Sequence, residues 1–311
     1  MRQILAKNLN ENQKAILSTL SFFHIYKLPL NAERIWQLLY CRQATLDEVK
    51  KELLNLSNKG IICENGGLYS LDHFDTWKYH ANQLEIKERW EKVKKYYWLL
   101  SCLPFVEEIS VINSVAMGNA DAESDIDFFV ITRPKRLYFV RTMVIVIFKL
   151  LGVYKTRTKI NKRFCFGFYM TTDQLSIKNL LLSEQDPYMA FWLGTMIPIV
   201  GHNVYEKFIK ENRWIYYYLP NFNLFKRLSL TKDFKPKPRL KFLLSALAYF
   251  PAIILESILR RIHIRHTFKL PENHWKTSST IANKQMLKLH ALDPRLDLRA
   301  KFEKIRRQIY G

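Results

Sequence analysis

The run Asp125-Ile126-Asp127-Phe128-Phe129-Val130-Ile131 constrains this chain more than any other stretch. An apolar segment approached through alternating acids reads as a buried strand with a polar start. Successive strand residues point to opposite faces, so Asp125 and Asp127 project together while Ile126 and Phe128 turn to the core. Apolar residues ending at Ile112 predict a second buried strand. The ten residues 115–124 between them include Gly118, Asn119, Asp121 and Ser124, which is turn or loop chemistry. Adjacent carboxylates repel and raise each other's pKa unless a cation lies between them. A divalent metal is the economical occupant, and oxygen ligands favour Mg²⁺ or Mn²⁺.

The order Ile112-Asn113-Ser114, ten residues, then Asp125-Ile126-Asp127-Phe128 resembles the nucleotidyltransferase signature of the DNA polymerase β-like superfamily. That pattern is an apolar residue, Gly, then Gly or Ser, a loop, Asp, an apolar residue, Asp or Glu, and another apolar residue. The resemblance implies an α+β fold with a small mixed-sheet nucleotidyltransferase core. It implies that Ser114 contacts the phosphates of a bound NTP, with Asn113 and Gly118 in the same nucleotide-holding loop. Asp125 and Asp127 would be the metal ligands and catalytic carboxylates. The reaction implied is transfer of a nucleoside monophosphate from an NTP to a hydroxyl acceptor, with release of pyrophosphate. Asn113 stands where the family has its first glycine; Asn is the non-glycine residue that best tolerates positive φ, so the turn is expected to persist. In the family a third carboxylate on a later strand is the usual base for the incoming hydroxyl. The strand expected over residues 164–170 contains no acid, and Asp173 just beyond it reads as a turn or cap residue. The alternative function is therefore a catalytically inactive protein of this fold, acting as a nucleic-acid-binding or regulatory module.

Around this core the chain divides into residues 1–75, a winged helix-turn-helix-like module; 76–103, a linking helix; 104–220, the core; and 221–311, a basic helical region. In the first, Asn31 caps a short helix, Thr45 and Glu48 form a capping box, and Asn65-Gly66-Gly67 signals a hairpin that would be the wing. The third helix of such a module reads nucleic acid, but here it mixes Asp47 and Glu48 with Lys50 and Lys51. Packing of the module against the core or a second subunit is at least as good an expectation. The whole order resembles bacterial nucleotidyltransferase-domain proteins with an N-terminal winged-helix-like module.

Charge is unevenly spread. The net charge is +21, and residues 221–311 hold 20 basic residues against 6 acidic ones. Such a field attracts polyanions: nucleic acid, anionic lipid or nucleotide phosphates. Basic residues flanking the acidic strand, among them Arg133, Lys135, Arg136, Arg141, Lys155, Arg157, Lys159, Lys162 and Arg163, are candidate phosphate contacts, though each taken singly reads as a solvated charge. Cys41, Cys63, Cys102 and Cys165 lack C-x-x-C spacing, which argues against a zinc site and a disulfide framework and points to the cytoplasm. The apolar run Phe242–Leu255 is broken by Pro251 and suits a buried or interfacial helix, so no transmembrane segment is expected. Attachment to a membrane surface through the basic, apolar segment 239–265 is a third possibility.

Overall fold

The structure, a computed structural model, describes residues 9–182, 186–269, 279–289 and 294–310. Helices α1 (Glu11–Ile25), α2 (Ala32–Gln37) and α3 (Leu46–Asn58) open it, with strand β1 (Leu30–Asn31) leading into α2. Each helix starts where the sequence supplies a cap: Asn10 for α1, Asn31 for α2, and the reciprocal Thr45–Glu48 box for α3. Strands β2 (Cys63–Asn65) and β3 (Leu68–Ser70) follow as a hairpin, and β1 pairs with β3 to give the antiparallel order β1-β3-β2. Gly66 and Gly67, at φ +61° and +78°, provide its tight turn.

The long helix α4 (Thr76–Cys102) leads to β4 (Val106–Ile112), α5 (Asn113–Met117), β5 (Ile126–Thr132), α6 (Leu137–Leu150) and β6 (Phe164–Thr171). Next come α7 (Pro187–Thr195), β7 (Ile197–Val200), α8 (His202–Glu211), α9 (Ile215–Tyr218) and α10 (Leu224–Ser229). The chain then runs through α11 (Pro238–Leu247), α12 (Tyr249–Lys269), β8 (Ile281–Ala282), β9 (Met286–Lys288) and α13 (Arg295–Tyr310). The larger sheet has the order β7-β4-β5-β6-β9-β8. Strands β5 and β6 are parallel, joined through α6, and the other pairs are antiparallel. The fold is thus α+β with a mixed sheet.

The alternation in β5 sorts side chains onto two cores. Ile126, Phe128 and Val130 face α4 and α6, while Phe129 and Ile131 face α1, α7 and α8. Strand β6 keeps step with β5 only through a bulge, since Asp127 pairs with Cys165 but Phe129 pairs with Phe168. The extra residue falls around Gly167, where a missing side chain makes a bulge easy. The N-terminal helices pack on this sheet face. Phe22 of α1 stacks on Phe191 of α7 at 4.2 Å, and Phe302 of α13 meets both Phe22 and Tyr40 edge-on. The region 221–311, read from sequence as helical, also supplies β8 and β9 to the main sheet. Strands of two and three residues are too short to leave a periodic signal in sequence.

Gly201 ends β7 at φ +75°, and a Cβ there would sit 1.8 Å from the Glu107 carbonyl oxygen. Gly152, at φ +65°, has open space around it. Gly152→Ala is therefore expected to cost about 1 kcal/mol, the strain of a left-handed residue alone. Gly201→Ala should cost several times more, because backbone on β4 must move. Urea denaturation of the two variants measures the contrast, and equal losses would refute the close packing at β7.

Candidate metal centre

The site forms where three strand ends meet. Asp127 near the start of β5 pairs with Ile112 at the end of β4 and with Cys165 at the start of β6. Asp125 lies one strand alternation earlier, on the same side. Its position is fixed by its neighbours: the Lys162 amide donates to the Ser124 carbonyl at 3.1 Å, and the Ile126 amide donates to the Arg163 carbonyl at 2.8 Å. One carboxylate oxygen from each acid and the Cys165 Sγ all lie within 4.8 Å of one another.

Four side chains set the electrostatics. Asn113 adopts φ +56°, so the turn does form at this asparagine. Its Nδ2 donates to Asp127 Oδ2 at 2.9 Å, while its Oδ1 accepts from Trp192 Nε1 at 3.1 Å. An indole nitrogen only donates, so Trp192 fixes which end of the amide faces Asp127. The Lys155 ammonium lies 2.6 Å from Asp125 Oδ2. Burial pushes the Asp127 carboxyl up to about 6, and the Asp125 charge adds to this; Asn113, Cys165 and Lys155 pull the other way. Burial also drives the Cys165 thiol well above its ordinary range, reinforced by Asp127 and Asp125. For Lys155, burial opposes the charge, yet the pull of Cys165, Asp125 and Asp127 outweighs it and holds the ammonium above its usual value.

Two arginines from the N-terminal half hold the connection between Ser114 and Asp125. Arg89 of α4 is fully buried and donates to the carbonyls of Asp121 at 2.5 Å, Ala122 at 3.3 Å and Ser124 at 2.7 Å, while its Nη1 meets the Glu85 carboxylate at 2.7 Å. Arg34 of α2 donates to the carbonyls of Ala116 and Met117 at 3.2 and 2.5 Å, at the C-terminus of α5. Residues 115–117, expected as turn or loop, instead belong to α5, where these carbonyls and the left-handed Gly118, at φ +85°, close the turn.

Asn113, Asp125 and Asp127 thus come together, with Ser114 next along in the same turn. Gly118 instead ends α5 beside Arg34 and lines a cavity of about 610 Å³ that also touches His24, Asp72 and Lys78 of the N-terminal part and α4. Of the candidate phosphate contacts, Lys155 reaches the acid pair. Arg133 pairs with Glu107, Lys162 with Glu85 and Glu88, and Arg141 with His263. Asp173 belongs to the other end of β6, where Thr171 pairs with Thr132, roughly 16 Å along the strand from the Asp127 level. There it accepts from Thr171 at 2.5 Å and Gln285 at 3.4 Å.

Cys165 was not legible in a sequence reading confined to carboxylates. The available signal was alternation: Phe164 and Phe166 turn to one core, which sends Cys165 to the opposite face, toward the acids. No protein-family model, curated protein or solved structure matches the chain.

The raised Asp127 carboxyl has a thermodynamic consequence for the metal-free protein. The folded state binds this proton more tightly than the unfolded chain, whose carboxyl titrates near 3.8. Stability from this group is therefore full below about 4 and is lost as pH rises through about 6. Asp127→Asn is expected to flatten that slope, read from urea midpoints between acidic and neutral pH. An unchanged slope would show that another group titrates.

Proposed function

We propose that this chain is a metal-dependent nucleotidyltransferase of the DNA polymerase β-like type, transferring a nucleoside monophosphate from an NTP to a hydroxyl acceptor. The carrying observation is the convergence of Asp125, Asp127 and Cys165 ligand atoms within 4.8 Å, directly beside the Asn113-Ser114 turn. In this reading the larger sheet with α5 and α6 is the nucleotidyltransferase core, and α1–α3 with the small sheet is a winged-helix module docked on it.

The donor set suits a divalent cation. The two acids are largely withdrawn from water beside one lysine, so the cluster retains negative charge that a cation would offset. A thiol among the donors is softer than a third carboxylate, which favours Mn²⁺ over Mg²⁺. A bound divalent ion would supply charge neutralisation at the triphosphate and polarisation of the phosphoryl oxygens. Asp125 and Asp127 would hold it, and Asn113 keeps Asp127 oriented. Ser114 would meet the phosphates. Lys155, at 36% side-chain exposure, has room to leave Asp125 and follow phosphate charge. Cys165 keeps its proton in the metal-free site and as a metal ligand would have no free lone pair to serve as base, so the acceptor's proton would pass to water or to a substrate oxygen.

A second reading keeps the fold and the nucleotide but not the chemistry: a regulatory or nucleic-acid-binding protein. The Asp125–Lys155 ion pair favours it, because a built-in cation already serves one acid.

Calorimetry with Mn²⁺ and each NTP, followed by incubation of labelled NTP with cell extract, separates the readings. The expected results are nucleotide binding that strengthens with Mn²⁺, at least about tenfold weaker Mn²⁺ binding in Asp127→Asn, and a labelled product. Cys165→Asp should shift preference toward Mg²⁺ by restoring an all-oxygen set. Metal and nucleotide binding identical in wild type and Asp127→Asn would remove the site. Binding without any labelled product would select the regulatory reading.

A further inference from the structure

Helices α11 and α12 meet at a 65° elbow. One face of α12 is anchored to the body. Glu256 accepts from the Tyr138 and Phe139 amides at 3.2 and 2.8 Å, capping α6, and His263 bonds Thr142 Oγ1 at 2.8 Å. Ala252, Glu256, His263 and Thr267 recur at helical spacing along this inner side.

Both arms of the elbow carry exposed apolar side chains, and Phe242 and Phe250 also edge a groove against Phe105, Glu107 and Arg133. Phe242, Leu247, Phe250 and Ile254 are exposed by 77%, 69%, 72% and 66%. Large side chains left in water together, on both arms of one bend, mark an interaction surface. Cations bracket them: Lys235, Lys237 and Arg239 before the apolar stretch, Arg261, Arg265 and Lys269 after it. Residues 235–269 contain eight Lys and Arg and one acid, and that acid is Glu256, buried in the cap of α6. The exposed charge of the elbow is thus entirely positive.

We propose that this elbow docks the protein on an anionic phospholipid surface. The apolar apex would enter the boundary between headgroups and acyl chains, and the flanking cations would meet lipid phosphates. Charge complementarity and the apolar apex are both required by this occupant. A nucleic acid satisfies the cations but offers no apolar medium for four such side chains. Among the described residues no single helix is long and apolar enough to cross a bilayer; α11 and α12 together have the length and apolar content, but the 65° bend and Arg260, Arg261, Arg265 and Lys269 in the second half of α12 favour the surface. The elbow therefore lies on the surface, with α12 still held to α6. This inference stands on the elbow alone and is independent of the metal centre.

Flotation of the full chain with vesicles of phosphatidylcholine, with and without phosphatidylglycerol, tests it. Wild type is expected to float with the anionic vesicles alone, less so as salt rises. F250S/I254S and R261E/R265E should each lose on the order of tenfold in partitioning, while Leu54→Ser, an exposed change on α3, should behave as wild type. Circular dichroism checks that the variants remain folded. Absence of wild-type flotation, or flotation undiminished in F250S/I254S, overturns the proposal. Self-association of wild type that F250S/I254S abolishes, without vesicle binding, assigns the face to a second copy instead. RNA binding that needs Arg261 and Arg265 but ignores Phe250 and Ile254, again without vesicle binding, assigns it to nucleic acid.

Discussion

The geometry around Asp125 depends on one guanidinium. Arg89 reaches from the middle of α4 and gathers the carbonyls of the loop that brings the chain into β5, with Glu85 on the same helix balancing its charge. A loop of this kind has no ladder of its own, and its carbonyls would otherwise turn to water and leave its path undefined. A planar group with five donors in a fixed fork is suited to collect several such acceptors at once. Arg34 does the same at the end of α5. Residues that look like the body of a linking helix and of an N-terminal module thus determine where the acids stand.

Within the cluster the surroundings of the two acids differ. Asp125 faces an ammonium, whereas Asp127 faces a carboxamide and a thiol, both neutral. The carboxylate that lacks a cation is the one whose charged form burial disfavours. The pair therefore sets one carboxylate against an ammonium and leaves the other where burial favours its neutral form. Trp192, by holding the Asn113 amide in one orientation, keeps a donor on Asp127 that limits the rise in its pKa.

Legibility in the sequence followed the range of the interactions. The Thr45–Glu48 capping box, the Asn65-Gly66-Gly67 hairpin and the alternation through Asp125 and Asp127 are contacts between near neighbours, and the structure places each as read. Asn113 at positive φ belongs with them. Cys165, Lys155 and Trp192 come to the acids from separate elements, and no local pattern joins them to residue 127. The bulge near Gly167 similarly depends on the pairing partner, because a strand read alone has no register. Strand β9 escaped notice for the same reason: three residues become a strand only beside β6.

Phe22 and Phe302 lie 280 positions apart and share one aromatic cluster with Tyr40 and Phe191. Helix α1 is among the first parts of the described chain to leave the ribosome, yet α13, which covers it, is among the last. For most of synthesis, then, an apolar helix that is buried almost all round in the finished protein has no lid. Closing a contact across that separation is entropically expensive and comes late. The order of translation therefore leaves α1 waiting, and a chain stopped short of residue 302 would present that helix to solvent and to other unfinished chains.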